Sequence, residues 1–361
     1  MTSALTALNE AGAPVAASAA ERMERALRLY RKRIARCRTP NQVNRVHIAL
    51  ANYMTPAEAR YFRSALAANP ADYADSADSA DRQWIVDLAD LMPTDAVRPC
   101  EFERRGLSTS VTHYTADVSS RERKTLIIGF TGNFHRLMLP SAWLLDCLNP
   151  ALYDVLVLRD FARCSYAAGI RGLGDEFCSA LANLATRIDA GAYRNVVSLG
   201  TSSGALPAIL AAILLRLGRA VAIGAQDLPR VAALLKARGL SDETYATLLA
   251  SRPQPFPEVL IVCGADYAVD VAAATSLQQR LPARVLRVRG CAEHAVLGWQ
   301  QQQRMLPAFL TKILGQNLEE PPAAHTTLAT TWVVGSNSAS SLRSTVARTA
   351  DDPKSDPTRN P

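Results

Sequence analysis

From about residue 125 onward, short blocks of aliphatic and β-branched residues alternate with longer stretches of helical spacing. Thr125 to Phe130, Val155 to Leu158, Val196 to Leu199, Ala220 to Ile223, Val259 to Val262 and Val285 to Val288 carry few polar residues. Such blocks are expected of strands covered on both faces. Between them, Leu137 to Leu148, Glu176 to Ile188, Ala205 to Leu215, Thr275 to Leu281 and Trp299 to Leu314 read as helices. Residues 227 to 250 read as a short helical excursion. The alternation predicts an α/β fold: a mainly parallel central sheet with helices on both faces. Glu101 to Arg105 and Ser110 to Thr115 add two short edge strands.

The first hundred residues have a different pattern. Met23, Leu27, Tyr30 and Ile34 form an apolar stripe on a helix from Glu21 to Cys37. Thr39-Pro40-Asn41-Gln42 and Thr55-Pro56-Ala57-Glu58 each place a hydroxyl at a helix cap, a proline in the first turn and Gln or Glu three residues on. Both are capping boxes. Trp84, Ile85, Leu88 and Leu91 mark another amphipathic helix after the polar stretch 71–81. The chain is thus expected to comprise a flexible N-terminus (1–20), a helical region (21–97) and an α/β domain (98–315). A small cap is expected at 227–250. The tail 316–361, rich in Pro, Ser, Thr and Asp, is expected to be disordered, with Thr330 to Val334 a local exception.

Composition narrows the class. An apolar fraction of 48% over 361 residues supports a large core. The seven cysteines are scattered and lack CxxC spacing, so neither a disulfide framework nor a zinc site is expected. Reduced thiols fit a cytoplasmic location. There is no secretory leader pattern, and the most apolar run, Ala205 to Leu215, is too short to span a bilayer. The net charge of +7 is concentrated: Glu21 to Arg38 holds eight basic residues against two acidic ones, net +6. With Tyr30 as the one aromatic there, base stacking has little support and no nucleic-acid partner is expected. A solvated face is the ordinary reading, and a protein partner for this helix stays open.

The candidate chemistry lies at strand ends. Gly200-Thr201-Ser202-Ser203-Gly204 joins an apolar strand to an apolar helix as G-x-S-x-G. This sharp turn can hold a serine hydroxyl at the edge of a sheet, with glycines two residues either side to avoid clashes. Asp266 follows the strand Val259 to Val262, and His294 follows Val285 to Val288. All three fall at carboxyl ends of strands, where catalytic groups gather in open α/β sheets. A serine needs a base and a group to orient that base, so Ser202, His294 and Asp266 are the candidate catalytic residues. Asp270, four residues on, is the rival acid.

With these motifs in the order Ser, Asp, His, residues from about Cys100 to Leu314 resemble the α/β-hydrolase superfamily. The resemblance implies a serine hydrolase acting on an ester or related acyl bond, with no cofactor or metal and a small-molecule acyl substrate. It also implies an oxyanion hole built from the N–H of Ser203 and one N–H in the turn Thr131-Gly132-Asn133-Phe134, here assigned to Asn133. In that turn Thr131-Gly132 stands where the family commonly has His-Gly. Thr131, Gly132, His135, Arg159 and Tyr166 are candidates to line the pocket, with Arg159 expected to pair with Asp160. The ordinary alternatives are a glycine-rich turn in which Ser202 caps a helix, and a surface or core histidine at 294. A non-catalytic binding protein, or a peptidase or amidase on the same triad, is the competing function. Gly169-Ile170-Arg171-Gly172-Leu173-Gly174 lacks the G-x-G-x-x-G spacing of a dinucleotide loop and is discounted.

Overall fold

The computed structural model describes residues 19–68, 87–92, 100–117 and 119–315. Residues 1–18, the polar stretch 71–81, Trp84 and Ile85, and the tail 316–361 lie outside the described residues, and the expectations for them lie outside with them.

Three helices open the described chain: α1 (Ala19–Ile34), α2 (Pro40–Ala51) and α3 (Pro56–Ala68). Their starts follow from capping chemistry. Thr55 N–H donates to Glu58 Oε2 at 2.8 Å and Glu58 N–H to Thr55 Oγ1 at 3.2 Å, a complete reciprocal box. At α2 the box is open: Gln42 N–H donates to Thr39 Oγ1 at 3.3 Å, but Gln42 Oε1 accepts from Arg38 N–H. Leu27 and Tyr30 of the expected stripe are buried against Leu50, Met54, Phe62 and Leu88. Met23 and Ile34, at its two ends, are half-buried.

Eight strands follow: β1 (Glu103–Ser108), β2 (Val111–Thr115), β3 (Thr125–Phe130), β4 (Tyr153–Leu158), β5 (Asn195–Thr201), β6 (Arg219–Ile223), β7 (Glu258–Gly264) and β8 (Ala283–Val288). They form one sheet in the order β1-β2-β4-β3-β5-β6-β7-β8. Strands β3 to β8 run parallel, while β2 is antiparallel to both β1 and β4. Helices α5 (Phe177–Ile188), α6 (Ala205–Leu214), α7 (Leu228–Ala237), α8 (Glu243–Ala250) and α9 (Ala268–Arg280) bury apolar side chains in one core. Helices α4 (Ser141–Asp146), α10 (Val296–Gln302) and α11 (Leu306–Leu314) pack in a second core containing the alternate side chains of the strands. Every α6 residue from Ala205 to Ile213 is buried. A helix enclosed on all sides has no polar face, which is why its sequence is apolar throughout.

Several element boundaries differ from the sequence expectation, among them β1, which runs from Glu103 to Ser108 and not from Glu101 to Arg105, and three of the differences have a clear local reason. Leu137 to Leu148 is helical only from Ser141, because His135 and Met138 take left-handed backbone (φ +59° each) and Pro140 precedes the first turn. The last helix breaks in two at Arg304, φ +57°, and restarts with Pro307 in its first turn, where a missing N–H costs nothing. Helix α9 begins at Ala268, well before Thr275, so Asp270 lies in its first turn. The 227–250 excursion resolves into α7 and α8, whose Val231, Leu235, Tyr245 and Leu249 join the first core. The Tyr245 hydroxyl donates to the Ser165 carbonyl.

A buried ion cluster pins the sheet at its amino edge. Lys124 Nζ lies 3.0 Å from Asp154 Oδ1, and the Tyr193 hydroxyl donates to Asp154 Oδ2 at 2.8 Å. Burial alone would raise the Asp154 carboxyl, but these partners and nearby His113 outweigh it and hold the group at about 2. Among the described residues no helix is long and apolar enough to cross a membrane.

Candidate active site

Ser202 stands at the carboxyl end of β5, in a single 3-10 turn (Ser202–Gly204) that leads into α6. Its φ is +54°, a left-handed conformation that is unfavourable for a residue with a side chain. The turn survives because its neighbours leave it no other shape. A Cβ on Gly200 would lie 2.2 Å from the Gly204 carbonyl oxygen, and one on Gly204 would lie 2.3 Å from the Phe130 oxygen. Strand β3 and the elbow thus touch through bare backbone. Gly204→Ala should force backbone atoms apart at a cost of at least about 1–3 kcal/mol. The expected result is a clearly lower urea midpoint, and an unchanged midpoint would contradict the packing described.

Across the sheet, β6 pairs with β5 so that Ile223 is opposite Thr201. Ser202 and Gly224 are the residues that directly follow these partners at the carboxyl ends of β5 and β6. The His294 imidazole rests on Gly224: a Cβ there would lie 2.9 Å from His294 Cε1 and 2.9 Å from Met138 Cε. With φ +59° and this contact, position 224 is glycine for two reasons at once. The ring's other neighbour is Tyr267, with ring centroids 6.0 Å apart.

The acid beside His294 is Asp270, and this corrects the expectation of Asp266. Asp270 places Oδ2 at 2.8 Å and Oδ1 at 3.1 Å from His294 Nδ1. The Asp270 side chain is 5% exposed and that of His294 38%. Asp266 is exposed, and its backbone N–H donates to the Cys291 carbonyl. The reason is the early start of α9, whose first turn holds Asp270, 4% exposed. A carboxylate accepts, so the pair assigns the proton to Nδ1 and the lone pair to Nε2. No hydrogen bond joins Ser202 Oγ to His294 Nε2 in the structure; such contacts are commonly long in free enzymes and tighten with substrate.

The turn after β3 lies against Ser202. A Cβ on Gly132 would lie 3.0 Å from Ser202 Cβ and 3.6 Å from Ser202 Oγ. Ser203 Oγ donates to Asn133 Oδ1 at 3.0 Å, stitching together the two residues expected to supply oxyanion donors. The Asn133 N–H makes no hydrogen bond among the described residues. The Ser203 N–H lies at the start of a helix, where amides lack intrahelical acceptors.

The other pocket candidates are placed as follows. Thr131 is buried and its hydroxyl donates to the Leu158 carbonyl at 2.9 Å. The fully buried Tyr166 hydroxyl donates to the same carbonyl at 2.7 Å and lies 3.1 Å from the Thr131 oxygen, so Tyr166 braces the ends of β3 and β4 and does not line a pocket. Burial pushes its phenol well up. His135 flanks the turn, its ring 4.6 Å from that of Phe161. Burial, with Arg163 and Arg159 nearby, lowers it to about 4, so it is neutral at pH 7. Arg159 does not pair with Asp160. It is 1% exposed, donates to Thr112 Oγ1 at 2.8 Å and to the Asn52 carbonyl at 2.6 Å, and stacks 3.9 Å over the Tyr53 ring. Asp160 instead accepts the N–H groups of Cys164 and Tyr166 at 2.7 and 2.9 Å, which closes that loop. Sequence reading missed Gly224, Met138 and Asn52. Gly224, directly after the strand Ala220 to Ile223, was the one visible signal.

Two large apolar side chains border this rim: Phe134, 60% exposed, and Val269, 49% exposed. A separate cleft of about 310 Å³ opens at the opposite edge of the sheet, lined by Arg123, Arg194, Asn195 and Arg219. It holds no serine, cysteine or histidine. Among the described residues, no group of three His, Cys, Asp or Glu side chains is arranged to hold a metal ion.

No family model matches the chain, and no curated protein matches it significantly. Among solved structures it is similar to MGS-MChE2, an alpha/beta hydrolase enzyme from the metagenome of lagoon sediments at Mar Chica, Morocco, with 17% identity over 58% of this chain and 98% of that one, TM-score 0.38. An alpha-beta serine hydrolase homologue from Coxiella burnetii has 14% identity over 60% and 99%, TM-score 0.39. The 2,6-dihydroxy-pseudo-oxynicotine hydrolase has 13% identity over 89% and 95%, TM-score 0.44. The fold assignment rests on the molecule itself: the antiparallel β2 beside six parallel strands, the elbow after β5, and acid and histidine following β7 and β8. The chain has the α/β-hydrolase fold.

Proposed function

We propose that the chain is a serine hydrolase that cleaves a carboxylic ester or related acyl bond. The observation that carries this reading is the His294–Asp270 pair standing over Gly224, one strand away from a serine in left-handed backbone. Ser202 Oγ attacks the substrate carbonyl carbon and gives its proton to His294 Nε2. Asp270 holds the ring in the required tautomer and stabilises the imidazolium. The N–H groups of Ser203 and Asn133 bind the oxygen that becomes negative, each worth about 3 kcal/mol of barrier. The tetrahedral adduct collapses, and the alcohol leaves with the proton from Nε2. Water, deprotonated by the same nitrogen, then attacks the acyl-serine, releases the acid and restores Ser202.

Phe134 and Val269 at the rim favour a substrate with an apolar portion. The seven free cysteines favour a reducing compartment such as the cytoplasm. A panel of p-nitrophenyl esters of two to eight acyl carbons, run beside the matching p-nitroanilides, tests the reaction class. Turnover of esters with little or none of anilides is expected. Equal turnover of anilides would make the protein an amidase or peptidase, and inertness to both would contradict the hydrolytic reading.

A further inference from the structure

We propose that Asn52 is a positioning residue for the oxyanion turn, which makes the N-terminal helices a working part of the active site. This inference rests on the reading of Ser202 as a nucleophile. Asn52 caps the C-terminus of α2, where its backbone N–H is tied to Ile48 and Leu50 carbonyls, and it is 4% exposed. Its side-chain Nδ2 donates to the Phe134 carbonyl at 2.8 Å, across 82 positions of sequence. That carbonyl belongs to the residue directly after Asn133, whose N–H is a proposed oxyanion donor.

From the elbow the turn is held by Ser203 Oγ on Asn133 Oδ1 at 3.0 Å and Thr201 Oγ1 on the Arg136 carbonyl at 3.5 Å, and neither bond reaches Phe134. Gly132 N–H reaches the Arg136 carbonyl at 3.4 Å, His135 N–H reaches the Gly132 carbonyl at 2.9 Å, and both His135 and Met138 are left-handed. Strained backbone persists only where surroundings over-determine it. Asn52 supplies such a constraint from a residue that is itself anchored. Its carbonyl accepts from Ser141 Oγ at 2.8 Å and from Arg159 Nη2 at 2.6 Å. The neighbouring Tyr53 carbonyl accepts from the Tyr114 hydroxyl at 2.9 Å, while the Tyr53 ring carries the Arg159 guanidinium. The end of β4, the middle of β2 and the start of α4 therefore all converge on Asn52-Tyr53. The one side-chain bond that leaves this anchor for the active site is the bond to Phe134.

The test is Asn52→Ala, which removes that bond and keeps the residue's carbonyl bonds, beside Asn52→Asp, which keeps the size and removes the donor. Two readouts are taken on each full-length variant: amide hydrogen exchange at Gly132 and His135, and kcat and KM for a p-nitrophenyl ester. The expected result is faster exchange at those two amides with the exchange of β3 and β5 unchanged. With it, kcat should fall about 10- to 100-fold, as a displaced donor of this kind implies, while KM moves less than about twofold. Unchanged exchange at Gly132 and His135 in both variants would overturn the inference whatever the activity. So would a kcat equal to that of the parent protein despite a loosened turn. A parent protein that is inert to esters, yet shows the exchange difference, would sink the hydrolytic reading and not the brace.

Discussion

Asp270→Asn is expected to lower kcat for an ester by about 10⁴-fold, while Asp266→Asn leaves it within about twofold. The first figure follows from what the carboxylate does. Both of its oxygens lie within 3.1 Å of His294 Nδ1, and the group is nearly closed off from water. An amide in its place can turn its NH₂ toward the ring, which then carries its proton on Nε2, the nitrogen that must accept one from Ser202. A wrong tautomer of this kind costs about 10⁴ in kcat with the geometry otherwise intact. The second figure follows from placement: Asp266 is at the surface, and the His294 Nδ1 partner is Asp270. Initial rates of the two variants, each with a parent-like melting temperature, check both figures. A disabled Asp266→Asn beside an active Asp270→Asn would reverse the assignment.

Ser202→Ala is expected to have the largest effect of all, taking ester turnover down by about 10⁶-fold to the level that binding and oxyanion donors alone sustain. Folding should not suffer. The side chain is half-exposed, and the elbow is shaped by Gly200, Gly204 and the Phe130 carbonyl, not by the hydroxyl. Loss of turnover with an unchanged urea midpoint is therefore the expected pair of results. Substantial activity in Ser202→Ala would exclude Ser202 as the nucleophile. Ser203 would not be a ready substitute, since it is buried with its hydroxyl committed to Asn133.

Much of this architecture was legible because it is written in local patterns. Six apolar blocks mark the six parallel strands, and the close contacts of Gly200 and Gly204 are those that the G-x-S-x-G spacing demands. The Thr55–Glu58 capping box closes as its residues imply. What was not legible depends on small shifts or on distant partners. Choosing between Asp266 and Asp270 turned on where α9 begins, and Tyr267-Ala268-Val269 carries no strong cap to mark that start. Arg159 and Asp160 are neighbours in sequence and opposite in charge, yet they part. Arg159 finds the Asn52 carbonyl 107 positions away, while Asp160 turns to the N–H groups of its own loop. The role of Asn52 could not be read from the chain, because a lone asparagine after a helix looks like an ordinary cap until Phe134 lies against it.

Covalent capture reports whether Ser202 is an activated nucleophile. The full-length protein is treated with a fluorophosphonate and analysed by intact mass and by tandem mass spectrometry of its peptides. One adduct per chain is expected, located on Ser202, absent from Ser202→Ala and greatly slowed in Asp270→Asn. A folded protein that takes no adduct, or one that labels equally after Ser202 is replaced, would contradict that role of Ser202.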